Sequence, residues 1–140
     1  MELAGFWMAL ATFLGIWWGH VGVRAIERRS VSIIPPMVIL AGVGIALNLT
    51  ALFTRNLTLS GVLSIIGITL MWDSFEVYRQ QKRVIKGHAP ANPNNPRHVA
   101  ILAASSHATE ADLLDREPSD PYASPGRHTP NRTSTSISTD

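Results

Sequence analysis

The chain has 140 residues, a formal charge of +2 and no cysteine. Disulfides and thiolate metal sites are thereby removed, and the charge excess is too small to argue for nucleic acid. Hydrophobicity is unevenly spread: residues 3 to 75 are dominated by Leu, Ile, Val, Ala, Gly and Trp, and residues 76 to 140 are polar and rich in Pro, Ser, Thr and Asn.

The first apolar run, Leu3 to Val23, carries no formal charge and is long enough to cross a hydrocarbon core of about 30 Å. It does not read as a cleavable leader. Glu2 precedes it in place of a basic residue, and Trp17, Trp18 and His20 stand where a small-residue cleavage site belongs. The second run, Val31 to Phe53, opens with Ser30 and Ser32 as expected caps and with Pro35 and Pro36 in the first turn, where a missing N–H removes no helical bond. Asn48, its one strongly polar side chain, is expected to face a neighbouring helix.

Arg55 and Asn56 form a short turn before the third run, Leu57 to about Met71. Trp72 and Phe75 carry that run through the interface, and Gly87 with Pro90 beyond it marks the stop of the continuing helix. Residues 88 to 98 (HAPANPNNPRH) read as an extended connection. A short helix is expected after it, with Thr109 and Asp112 resembling a cap. From Pro118 onward the composition reads as disordered.

Arg24, Arg28 and Arg29 follow the first span, and Arg79, Lys82, Arg83 and Lys86 follow the third, whereas Arg55 stands alone on the other side. Retention of positive charge inside places the N-terminus outside and the C-terminus in the cytoplasm. The expected fold is all-α: a three-helix transmembrane bundle with spans at about 3–23, 31–53 and 57–75. The third helix continues beyond the membrane to about residue 87. Residues 1–96 form the membrane domain, and 97–140 a mostly disordered cytoplasmic tail.

Small residues recur at helical spacing on every span: Ala11, Gly15 and Gly19; Gly42, Ala46 and Thr50; Ser60, Ser64 and Gly67. Such ridges let helix backbones approach one another in lipid. They serve packing within the chain or a surface for self-association or a larger membrane partner. His20 is the ionisable side chain nearest the membrane interior. His20, Arg24 and Glu27 share one helix face, as Thr69, Asp73, Glu76 and Gln80 do on the third helix. A polar clasp of His20, Arg24, Asp73 and Glu76 is expected, with Arg24 pairing to one of the acids. No catalytic, cofactor-binding or metal motif is found, and no cofactor is expected.

The stretch from Arg83 to Pro93, RVIKGHAPANP, resembles the closing motif of a bacterial family of small three-span membrane proteins of unknown function. The resemblance extends back through Gln81, Glu76 and Trp72 to Glu27, His20 and Ala11-Thr12-Phe13, covering roughly residues 4 to 96. His88 stands where an aromatic is more usual in that family, and Arg28-Arg29 replace a more aromatic segment. The resemblance implies three spans and a bacterial inner-membrane setting, and it supplies no mechanism. Size and composition favour a non-enzymatic accessory or assembly subunit that packs against a larger inner-membrane complex. The alternative is a homo-oligomeric, holin-like pore.

Overall fold

The computed structural model describes residues 3–112. It is all-helical over that range: α1 (Ala4–Arg29), α2 (Ile34–Phe53), α3 (Leu57–Ile85) and α4 (Pro96–Ala104). The first three are long and apolar enough to cross a membrane. At 1.5 Å per residue α2 is about 30 Å long, one hydrocarbon thickness, and α1 and α3 are longer by roughly 10 Å. The excess of both lies at the end that carries the arginines and lysines, called the basic end below.

The connections between spans are tight. Ser30, expected to cap α2, instead ends α1: its N–H donates to the Ile26 carbonyl at 2.9 Å. Ile33 occupies the N-cap of α2 without a side-chain bond, and Pro35 and Pro36 supply the first turn. At the opposite end Asn56 caps α3 by accepting from the Leu59 N–H at 3.0 Å.

The helix α3 is central. It packs along α1 on one side and α2 on the other, while α1 and α2 have almost no contact with each other. The α2–α3 seam is antiparallel. Ser74 Oγ donates to the Met37 carbonyl at 2.8 Å, and Ser60 Oγ to the Ala51 carbonyl at 2.9 Å. Between these bonds Gly44 and Gly67 let the backbones meet: a Cβ on Gly44 would stand 2.6 Å from the Gly67 carbonyl oxygen. Asn48 faces this seam as expected. Its Nδ2 donates to the Gly44 carbonyl at 2.8 Å and lies 3.8 Å from Met71 Sδ.

The α1–α3 seam is parallel, with Gly15 beside Thr69 and Gly19 beside Asp73. Ala11, Gly15 and Gly19 thus pack within the chain, as do Ser60, Ser64 and Gly67, which lie on the α2–α3 side or are half-buried. Among the described residues the ridge on α2 does not. Gly42, Ala46 and Thr50 are exposed, and a Cβ on Gly42 would meet no atom within 4 Å.

Gly87 stops α3 as the sequence indicates. Its φ of 71° is the left-handed value that closes a Schellman motif, with its own N–H on the Val84 carbonyl at 3.0 Å and the His88 N–H on Arg83 at 2.8 Å. The short helix predicted after it is α4, but Asn95 starts it, accepting from the Arg97 N–H at 3.0 Å. Thr109 instead makes a local turn, accepting from the Ala111 N–H at 3.1 Å. Helix therefore continues beyond residue 96, to Ala104. Ile101 and Leu102 of α4 pack on Val84, Ala89 and Ala91 in a small apolar core outside the spans. The tail read from Pro118 onward lies outside the described residues.

Candidate functional site: a polar cavity and the cap below it

Parallel packing sets the C-termini of α1 and α3 side by side at the basic end. Each helix end leaves carbonyls without an intrahelical partner, and two adjacent negative dipole ends favour nearby cations. The segment after Gly87 meets both demands. Asn92 Nδ2 and Asn95 Nδ2 each donate to the Arg28 carbonyl at 3.1 Å, and Asn95 also reaches the Ser30 carbonyl at 3.0 Å. Arg97 Nε donates to the Ser30 carbonyl at 3.1 Å, and its Nη2 to the Glu27 carbonyl. Ser105 Oγ serves α3, donating to the Ile85 carbonyl at 2.8 Å. The residues read as an extended connection are thus a cap, because their amides turn back onto the end of α1.

At the centre of this cap Glu27 is 1% exposed and His98 is fully buried. Glu27 Oε1 accepts from Arg97 Nη2 at 2.9 Å and from His98 Nε2 at 3.1 Å. The other ring nitrogen, Nδ1, accepts from the Asn92 N–H at 2.8 Å. A nitrogen accepting from a backbone amide carries no proton, which assigns the ring proton to Nε2, facing Glu27, with Arg97 Nη2 also 2.8 Å from that nitrogen. Burial, the leading cause, and the adjacent Arg97 hold the His98 pKa below its ordinary 6.5 against the opposing pull of Glu27. Among the described residues buried Arg97 Nη1 has no hydrogen-bond partner.

Above the cap, toward the membrane, a cavity of about 450 Å³ opens between α1 and α3. All four residues of the expected clasp line it, namely His20, Arg24, Asp73 and Glu76, with Gln80 and Arg83 toward the cap. The pairing differs from expectation. Glu76 takes its cations from its own helix, Arg79 at 3.0 Å and Arg83 at 3.5 Å. Those arginines lie one and two turns along the same face and are nearer than Arg24. Arg24 turns back instead, with Nε on the His20 carbonyl at 2.9 Å. His20 Nδ1 lies 3.0 Å from the Ile16 carbonyl, to which it donates.

Asp73 is only 5% exposed. Gly19 makes the room for it, since a Cβ there would stand 2.5 Å from Asp73 Oδ1. Among the described residues no side chain or backbone group hydrogen-bonds the Asp73 carboxylate, and Arg24 forms no ion pair with it. The clasp residues are therefore gathered around one space rather than bonded across it. Also among the described residues, no three His, Asp or Glu side chains come together as metal ligands do.

The sequence reading missed Asn92, Asn95, Arg97 and His98. Asn95-Pro96 was the available signal, because Asn at an N-cap with Pro directly after it is a helix start.

Residues 2–95 match the family described as Domain of unknown function (DUF4491), and the chain belongs to it. No curated protein and no solved structure is found to match the chain. The matched range includes Glu27, the cavity residues and the capping asparagines, and it ends just before Arg97.

Proposed function

We propose that this DUF4491 protein acts by holding other membrane helices and carries out no chemistry of its own. In this reading it is an accessory or assembly subunit of a larger complex in a bacterial inner membrane, with its N-terminus outside and its basic end in the cytoplasm. The observation that carries the proposal is the small-residue ridge of α2. Gly42, Ala46 and Thr50 lie exposed on a helix whose packing among the described residues is almost wholly against α3. Against lipid such a ridge has no advantage over Leu or Ile, whereas against another helix it permits close backbone approach. The arrangement of α1 and α2 on opposite sides of α3 leaves that face open. Orientation is supported by the seven basic residues Arg24, Arg28, Arg29, Arg79, Lys82, Arg83 and Lys86 at one end against Arg55 at the other.

Purification of the tagged chain in mild detergent tests this. Co-isolation of a defined heterologous membrane complex, lost on Gly42→Leu or Ala46→Leu while the chain itself stays folded, is the expected result. A large self-assembly that leaks ions on overexpression would replace this reading with the pore.

A further inference from the structure

We propose that a second cavity, between α1, α3 and the turn after Gly87, is a binding site for a water-soluble phosphate dianion, inorganic or a small monoester, held by Arg24, Gln80 and Arg28. This cavity measures about 340 Å³ and meets the one above it at Arg24, Gln80 and Arg83, which line both. Gln80 is only 5% exposed, and its Oε1 accepts from Arg83 Nη1 at 3.0 Å. A guanidinium only donates, so the oxygen is the end that faces Arg83 and the NH2 is the end left over. Among the described residues that NH2 has no partner, yet its neighbours do not seal it in. A buried amide in this state is costly unless an acceptor reaches it.

Helix register sets two guanidiniums around that amide. The pairing of Gly15 with Thr69 and Gly19 with Asp73 places Gln80 level with Ile26, midway between Arg24 and Arg28. Those arginines stand about 6 Å apart along α1, at 1.5 Å per residue, and both line the cavity. Arg24 spends only its Nε, on the His20 carbonyl, and the Arg28 side chain has no hydrogen bond or ion pair among the described residues. The acids nearby are already matched: Glu76 has Arg79 and Arg83, and Glu27 has Arg97 and His98. Asp112, also in the lining, has an interaction of its own. The carbonyls at the end of α1 are taken by Asn92, Asn95 and Arg97. Two positive charges with an amide between them match a dianion. A tetrahedral one offers separate oxygens to donors that converge from two helices, where a planar carboxylate has only two. Every lining residue lies beyond Val23 of α1 or Phe75 of α3, where the apolar runs end, so the cavity is reached from water and not from among lipid chains.

The test uses the full chain in uncharged detergent at about pH 8, where phosphate is a dianion. An ionic strength of about 0.15 M screens a diffuse basic surface beyond about 8 Å. Inorganic phosphate and glycerol phosphate are the probes, with acetate for comparison, and binding is read by titration calorimetry. One phosphate should bind per chain, about tenfold or more tighter than acetate. Gln80→Leu, which removes the amide without altering charge, and Arg28→Gln should each weaken it about tenfold. Arg29→Gln, one residue along and outside this cavity, should change it by less than about twofold. Binding that ignores Gln80→Leu and falls equally in Arg28→Gln and Arg29→Gln would overturn the proposal, as the mark of a basic surface without a site. If Gln80→Leu does not fold, the two arginine variants still decide, since both side chains are exposed. Acetate bound as tightly as phosphate by the unaltered chain, or no phosphate bound, would also overturn it. Phosphatidic acid in mixed micelles bound where free phosphate is not would overturn the water-soluble source. Because the isolated chain is used, the outcome is independent of any protein partner.

Discussion

His98 makes one acceptor bond to a backbone amide and one donor bond to Glu27, so only its neutral form satisfies both. With the pKa held down by burial, the folded ring binds a proton less readily than the unfolded one. The cap is therefore at full strength above about 6.5, the unfolded value, and weakens as pH falls below it. Hydrogen-exchange protection of α4 should drop on acidification through that range. In His98→Asn, which keeps an acceptor near Asn92 but does not titrate, that acid dependence should vanish. Glu27→Gln should cost about 3 kcal/mol of detergent stability, since it leaves Arg97 buried without its counter-charge. Glycines divide by what they touch. Gly67→Ala drives a methyl into Asn48 and the Gly44 carbonyl and should destabilise by roughly 1–3 kcal/mol. Gly42→Ala meets nothing and should be neutral or gain up to about 1 kcal/mol of helix propensity. Thermal unfolding of the two variants side by side checks the contrast.

Helix existence was legible because apolar length and punctuation agree: Pro35-Pro36 open α2, Gly87 closes α3 and no charge interrupts α1 before Arg24. Pairing between helices was not. Periodicity marks a small-residue ridge equally whether it meets a neighbour or not, so Gly42 and Ala46 read like Gly15 and Gly19. The clasp was legible as a gathering of residues and not as bonds, because helix position fixes depth whereas the choice of partner rests on side-chain reach. Glu76 found arginines on its own helix. The cap was hidden for a different reason: Asn-rich, Pro-broken sequence looks the same whether its amides meet water or the carbonyls of α1. The cap is an element in its own right. A chain ending after Asp112 should keep the stability of the full chain, and one ending after Asn95 should lose the Arg97 and His98 bonds and melt earlier. Limited proteolysis of the three lengths checks this.

The whole molecule is an open layer: α3 in the middle, α1 held to it by glycines and by the cap, α2 held by hydroxyl bonds and the Gly44–Gly67 contact, with a face of α2 turned away. The proposed function depends on that face meeting protein and not lipid. Because the chain has no cysteine, single cysteines report position without background. Ala46→Cys on the open ridge and Ser64→Cys on the α3 side of the α2 seam are the pair to compare, by thiol cross-linking in intact cells. The account predicts that Ala46→Cys yields one adduct with a defined, different membrane protein and that Ser64→Cys yields none. No adduct from Ala46→Cys, or an adduct only with a second copy of the chain, would contradict it.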